Sequence, residues 1–157
     1  MVESNIISKL ASKRQAAIAP IIETEKIGDK KTPRLSGTAV FSGDKMVGEM
    51  TKQETRGYVW VKQDPSGSIM NISTDKARAN IEIADSKGRM KVLTKNGEVK
   101  IKIYVSASGL VTGMENTQSF DGAISDVEGA FASGVKNEIY ACIKKSRNLK
   151  ADVLGIE

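Results

Sequence analysis

The chain has no histidine and only one cysteine, Cys142, among its 157 residues. Without histidine, neither a Ser-His-Asp triad nor a Cys-His pair can be assembled within the chain, and the commonest general base is missing. A lone cysteine excludes an internal disulfide, and a zinc site would need carboxylates with one thiol, an uncommon ligand set. We therefore expect no catalytic residues, no metal and no cofactor.

Aromatic residues and long apolar runs are also scarce. Aromatic side chains make up 4% of the sequence against 39% apolar residues in total, so the core is expected to be largely aliphatic. The longest apolar run, Ala16 to Ile22, contains Pro20 and is far shorter than the roughly 20 residues that cross a bilayer. No membrane-spanning helix is predicted.

The charge balance is moderately basic. The chain has 24 lysines and arginines against 19 acidic residues, a formal net charge of +5. Such an excess favours anionic surfaces without selecting one, so nucleic acid, anionic lipid headgroups and an acidic protein all stay open as partners. A solvated surface with a small basic excess also explains it.

The segment from Leu35 to Gly57 has the clearest local pattern. Val40 and Phe41 favour a strand, Gly43-Asp44 favours a turn, and Thr51-x-x-Glu54 is a capping box. The sequence predicts a hairpin with strands near 34–42 and 45–49, followed by a helix to about residue 62. Around it we expect a short helix over 3–12, an extended stretch over 16–27, a polar loop over 28–33 and strands over 68–73 and 149–156.

A second alternating pattern begins at Ala79. Apolar residues recur at every second position, interrupted by the turn-like segments Asp85-Ser-Lys-Gly88 and Asn96-Gly97. We predict a three-stranded antiparallel meander that ends at Val105, with a type I′ turn at Asn96-Gly97, because both central residues of that turn need a positive φ. Its outward face would be basic.

The C-terminal part predicts a long amphipathic helix over 125–147. Ser125-x-x-Glu128 has the form of a capping box, and apolar residues follow at helical spacing: Val127, Phe131, Val135, Ile139 and Ile143. Cys142 falls on this helix, where a partly buried small hydrophobe is a commoner role than a reactive thiol. The predicted fold class is α+β: a largely antiparallel sheet packed against this helix and shorter ones.

Three further patterns admit a functional interpretation. Lys91, Lys100, Lys102 and Tyr104 would share the wet face of the meander, which favours nucleic-acid binding, although such platforms normally offer two or more exposed rings. Tyr58 and Trp60 beside Arg56 are typical either of an interface anchor or of core. A hydrolase would need paired carboxylates, for which the candidates are Glu23, Glu25, Glu82 and Asp85.

Three blocks of sequence resemble one family. Gly37 to Gly57 is similar to the pattern GxAVFxxDKxVGxLxxxETRG, Val99 to Val105 to a strand written PVIKIKVKVE, and Leu149 to Gly155 to an ending written xKADxFGxG. These are patterns of the Ger(x)C family, the C subunits of spore-germination nutrient receptors, in their C-terminal domain. Order and spacing agree over roughly residues 5–157, while Ser106 to Gly109 is more polar than the family's usual segment.

The resemblance implies a non-enzymatic lipoprotein subunit that senses or signals germinant during spore germination. It implies protein–protein contacts with membrane-embedded A and B subunits, at the outer leaflet of the inner spore membrane, with a lipid anchor on an N-terminal cysteine. Family members carry a signal peptide, that cysteine and earlier domains. We expect residues 1–157 to be a single domain, the C-terminal domain of such a lipoprotein, with its anchor outside this chain.

No motif of the family marks the docking residues. We expect partner binding at the hairpin tip, on Asp44 and Lys45, and at the exposed cations Arg56, Lys100 and Lys102. Under the receptor interpretation no nucleic acid is bound; the alternative is a nucleic-acid-binding domain that uses the basic sheet face.

Overall fold

The computed structural model describes residues 15–115 and 119–156. The elements are, in chain order, β1 (Ala17–Ile27), β2 (Lys30–Ser42), β3 (Lys45–Thr51), α1 (Lys52–Lys62), β4 (Ile69–Ser73), β5 (Arg78–Lys95), β6 (Glu98–Glu115) and α2 (Phe120–Asn148). Two antiparallel three-stranded sheets and a long C-terminal helix confirm the predicted α+β class. The helix predicted over 3–12 lies outside the described residues.

The chain divides into two compact units. Unit 1 comprises the residues up to Tyr58 together with those from Tyr140 onwards, and unit 2 comprises Val59–Ile139. Whether two such units fold as one domain depends on their cooperativity, so the expected single domain stays a prediction.

The sheet of unit 1 has the order β1-β2-β3. The extended stretch over 16–27 and the hairpin are confirmed, and Pro20 lies in β1, an edge strand, where a missing ladder donor is tolerated. The loop predicted over 28–33 is wrong, because β2 already begins at Lys30, opposite Ile27. Gly28, with a φ of +60°, lets the chain reverse at Gly28-Asp29 alone. The end of the β1–β2 hairpin is exposed to solvent, so polar residues can form a strand there.

The start of α1 confirms the first capping box. The backbone N–H of Thr51 donates to Glu54 Oε2 at 2.7 Å, and the backbone N–H of Glu54 donates to Thr51 Oγ1 at 3.3 Å. Two N–H groups without helical acceptors are thereby satisfied. The helix ends at Lys62, where the sequence places its boundary.

The sheet of unit 2 has the order β4-β5-β6. The strand predicted over 68–73 is confirmed as β4, but the turn predicted over Asp85–Gly88 is wrong. Ser86, Lys87 and Gly88 instead continue β5, opposite Ala107, Ser106 and Val105 of β6. A Cβ on Gly88 would lie 2.5 Å from the carbonyl oxygen of Trp60 and 2.9 Å from that of Val61. Gly88 therefore allows the backbone at the end of α1 to approach β5 closely. The local sequence does not reveal this contact.

The core of unit 2 lies between this sheet and α2. Trp60 is 2% exposed and meets Phe131 edge-on, with ring centroids 6.0 Å apart at 85°. The indole N–H of Trp60 donates to Glu138 Oε2 at 2.8 Å, which gives this buried carboxylate a partner. The other buried members of this core are Met70, Ile72, Ala77, Ala79, Ile81, Ile83, Ala123, Val127 and Val135.

The long C-terminal helix is confirmed, but its predicted start is wrong. It begins at Phe120, and the N-terminal turn uses Ser119, whose Oγ accepts from the backbone N–H of Gly122 at 3.3 Å. Ser125 and Glu128 lie within the helix, so the second capping box does not cap it. The Ser-x-x-Glu pattern also fits a helix interior, because residues three apart share a face.

The strand predicted over 149–156 is wrong. The segment after α2 is irregular and is held by Ser146, whose hydroxyl donates to the carbonyl of Ala151 and accepts from the N–H of Val153 at 3.2 Å. A single ladder-like bond, from the N–H of Ala16 to the carbonyl of Asp152 at 2.9 Å, joins it to the start of β1. Val153 and Leu154 are buried there, so the apolar pattern reflects burial without strand pairing.

Candidate functional site

The β5–β6 hairpin carries several of the exposed cations that the sequence points to, among them Lys91, Lys100 and Lys102. Its turn is Asn96-Gly97, with φ values of 53° and 79°, as a type I′ turn requires. The strands pair from Lys95 opposite Glu98 down to Arg78 opposite Glu115. The predicted hairpin at Asn96-Gly97 is confirmed, and its strands are longer than expected.

One face of this hairpin gathers five cations, and we name it the basic strand face. Its members are Lys87, Arg89 and Lys91 on β5 and Lys100, Lys102 and Tyr104 on β6, all exposed. In the ladder Lys91 lies opposite Lys102, and Arg89 lies opposite Tyr104. The sheet thus brings the predicted Lys100 and Lys102 together with cations from the neighbouring strand.

A bulge in β5 lies between this face and the buried part of the strand. Ile83 is opposite Gly109 and Asp85 is opposite Ser108, so Ala84 is the extra residue. One extra residue reverses the alternation, because successive side chains point to opposite faces. Before the bulge the odd-numbered Ile81 and Ile83 are buried, whereas after it the odd-numbered lysines face water.

The charge on this face is not neutralised locally. Within residues 15–115 and 119–156, no carboxylate lies at ion-pair distance from Lys91, Lys100 or Lys102. The ammonium of Lys91 sits 5.9 Å from the centroid of the Tyr104 ring, a cation–π arrangement. Like charges directly opposite each other cost stability, so the Lys91–Lys102 pair weakens the hairpin. A role in binding an anion would explain why the pair is present.

A shallow depression of about 630 Å³ lies beside the turn of this hairpin. It is lined by Leu93, Thr94, Asn96, Glu98, Lys100 and Lys102. Two lysines, a hydroxyl and an amide supply donors for a phosphate or carboxylate, while Leu93 supplies apolar contact. Sequence alternation places Lys100 and Lys102 on this face, but the depression depends on β5 and could not be read from it.

The remaining predicted docking residues belong to unit 1. Asp44 lies in the β2–β3 turn and Lys45 begins β3, and both are exposed. Arg56 is exposed on α1. The structure therefore divides the five predicted residues between the two units, with Lys100 and Lys102 in unit 2.

The sequence leaves two roles open for Tyr58 and Trp60, an interface anchor or a core residue. The structure places both side chains in the core. Tyr58 is 5% exposed and Trp60 is 2% exposed. Buried rings of this kind stabilise the fold and leave no surface for a partner. Of the three α1 residues considered, Arg56 therefore stays as the candidate for partner binding.

Cys142 is fully buried on α2. Burial, and secondarily the negative charge of Glu54, raises the pKa of its thiol from the ordinary 9.0 to about 12. The thiolate is the nucleophilic form, so this cysteine is inert near neutral pH. Its expected role as a small buried hydrophobe is confirmed.

The candidate carboxylates Glu23, Glu25, Glu82 and Asp85 are exposed surface groups on β1 and β5. Glu25 is held by Arg34 at 2.7 Å, on the exposed ribbon of β1 and β2. Glu82 lies opposite Leu110 and Asp85 opposite Ser108, both exposed on β5. Among the residues that the structure describes, no group of three His, Cys, Asp or Glu side chains has the spacing of a metal site. In the same ranges, neither helix is long and apolar enough to cross a bilayer.

Sequence reasoning missed one further depression, of about 690 Å³, in unit 1. Its charged lining residues are Glu23, Glu49, Lys52 and Lys145. They come from β1, β3, α1 and α2, so no local motif could have found them. The balanced charges indicate no ligand class.

This arrangement of sheets and helices recurs in a known structure. The crystal structure of the GerBC protein matches with a TM-score of 0.69 at 19% sequence identity, covering 89% of this chain and 44% of that one. At that identity the likeness establishes a shared α+β fold.

The family follows from the sequence comparison. Residues 36–157 match the family described as "Spore germination B3/ GerAC like, C-terminal", and the chain belongs to this family. It is 25% identical over 131 residues to the spore germination protein YndF of Bacillus subtilis (strain 168), covering 79% of this chain and 32% of YndF. It is 22% identical over 165 residues to the putative spore germination protein YfkR of the same strain, covering 98% of this chain and 42% of YfkR.

These matches confirm the predicted family and its link to spore germination. The matched range begins one residue after Leu35 and contains all three sequence blocks that carry the resemblance. The chain spans less than half the length of the curated relatives it matches.

Proposed function

We propose that this chain is a C-terminal domain of the C subunit of a nutrient germinant receptor, acting without enzymatic chemistry. The observation that carries the proposal is the match of residues 36–157 to the GerAC-like C-terminal family. The likeness of its fold to the GerBC crystal structure adds support. The domain would take part in germinant sensing or signalling through contacts with other proteins.

A non-enzymatic role agrees with the chemistry of the side chains. The chain contains no histidine, and its one thiol is held protonated by burial. The charged residues of the basic strand face are exposed surface groups, which suits them to binding.

The proposed partners are the membrane-embedded A and B subunits, at the outer side of the inner spore membrane, with a lipid anchor in the full-length protein. For docking to these subunits we propose Asp44, Lys45 and Arg56 of unit 1. Exposed charged residues at the edge of a protein–protein interface mainly affect the rate of association and its dependence on salt, and affect affinity less.

Site-directed crosslinking in spores tests this proposal. A photoreactive amino acid at position 44 or 45 of the full-length protein should crosslink to a membrane subunit. The same group at position 30, an exposed lysine in β2 of the same unit, serves as the control. Lys45→Glu with Arg56→Glu should slow nutrient-triggered germination, followed as the fall in optical density. Absence of any subunit crosslink together with normal germination of the double variant would overturn the proposal.

A further inference from the structure

We propose that the basic strand face, together with the hairpin tip beside it, binds the surface of a phospholipid bilayer that carries anionic headgroups. This goes beyond the receptor role, because it assigns a direct lipid contact to the folded domain, independent of any anchor and of other subunits.

The charge pattern supplies the first argument. Five cations project from one face of two adjacent strands. The carboxylates of the same face lie at its two ends, Glu82 and Asp85 at one and Glu98 at the other. Lys100 and Lys102 are two residues apart, roughly 7 Å along the strand. A row of like charges at this spacing complements a continuous plane of phosphates, which demands no fixed register from its partner.

The tip of the hairpin supplies the second argument. Val92 is 63% exposed and Leu93 is 43% exposed, on opposite faces of β5 just before the Asn96-Gly97 turn. Tyr104 is 50% exposed farther along the basic strand face. Apolar residues at the tip of a hairpin, with lysines farther along its strands, suit the membrane–water interface. The apolar groups enter the boundary between headgroups and acyl chains, while the ammonium groups stay at the level of the phosphates.

Lipid suits this face better than the other anionic partners. Nucleic-acid platforms stack bases on two or more rings, whereas this face offers Tyr104 with the Lys91 ammonium against its ring. An acidic protein site would favour arginine, whose planar fork pairs with carboxylates, but four of the five cations here are lysines. Lysine acts as a flexible point charge, which is sufficient for a fluid layer of phosphates.

Vesicle flotation with the 157-residue chain tests the proposal. We expect binding to vesicles that contain phosphatidylglycerol, little binding to phosphatidylcholine alone, and a loss of binding as salt rises. Lys100→Gln with Lys102→Gln should weaken binding about 25-fold, since each cation near an anionic surface contributes about fivefold. Leu93→Ser should weaken mainly the binding that persists at high salt.

The matched control is Lys30→Gln with Lys31→Gln, which removes an equal charge from the exposed start of β2. Circular dichroism verifies that both double variants remain folded. Equal losses in the two variants would show a general effect of net charge and overturn the proposal. The proposal is also overturned if the chain binds single-stranded DNA and vesicles do not displace that DNA. The same holds if soluble glycerol phosphate releases the chain from the vesicles. None of these assays contains a receptor subunit, so failure here leaves the receptor proposal standing.

Discussion

Gly88→Ala offers the sharpest test of how unit 2 is packed. The added methyl would lie 2.5 Å from the carbonyl oxygen of Trp60, 2.9 Å from that of Val61 and 3.0 Å from the Cα of Val61. All three atoms are backbone, so no side chain can rotate away, and either α1 or β5 must shift. Overpacking of this kind typically costs about 1–3 kcal/mol.

The assay is urea unfolding followed by the fluorescence of Trp60, the only tryptophan, which lies in the core of the same unit. A loss of about 2 kcal/mol corresponds to a midpoint about 1 M lower, for an m value near 2 kcal/mol/M. Gly113→Ala is the matched control on β6, because its added methyl would meet a single side-chain atom, the amide nitrogen of Asn80, at 3.5 Å. Replacing that strand glycine is expected to be neutral or stabilising by up to about 1 kcal/mol.

Two outcomes would refute this reasoning. Equal stability of Gly88→Ala and Gly113→Ala would show that α1 does not approach β5 closely at Gly88. A Gly88→Asn variant that is better tolerated than Gly88→Ala would indicate a left-handed residue in a turn, because asparagine adopts that conformation more readily.

Three other variants have expected outcomes. Trp60→Phe should lower the free energy of unfolding by about 1.5–3 kcal/mol in denaturant titrations, because Glu138 loses a hydrogen bond to a charged group; no loss would mean that the bond contributes nothing. Cys142 should resist thiol reagents at pH 8 until the protein unfolds. Because its folded pKa is raised, stability should fall as pH rises from about 9 to about 12, and Cys142→Ala should remove that part of the slope. Thr51→Ala should cost about 0.5–2 kcal/mol in thermal melts through loss of the N-cap, whereas Thr51→Ser should cost little.

The misplaced boundaries share a cause. Asp85–Gly88 has the composition of a turn, and Ser125-x-x-Glu128 has that of a cap, yet one lies inside β5 and the other inside α2. Both motifs describe preferences of a few residues. The segment Asp85–Gly88 is a strand because it pairs with β6, which lies elsewhere in the chain. Helix α2 begins at Phe120, before the Ser125 motif. In both cases the wider structure overrides the local preference.

The candidate site was predictable in part. Alternation alone indicates that Lys100 and Lys102 face water together. Together with the Asn96-Gly97 turn it also places Lys91 opposite Lys102, because both bulges of this pairing lie farther from the turn than that pair. It does not indicate that Lys87 joins the face, because Asp85–Gly88 has the composition of a turn. Nor does it show the depression beside Asn96, which needs both strands in place.

By itself, the sequence determined the α+β class, the Asn96-Gly97 turn, the cap at Thr51 and the family, since each follows from short-range sterics or from contiguous blocks of residues. Only the tertiary structure decided that Trp60 is core, that Cys142 is inert, and that five cations form one face. Burial and register depend on what packs against a residue from elsewhere in the chain. A one-residue bulge that reverses every following side chain leaves no unambiguous mark in the residues around it.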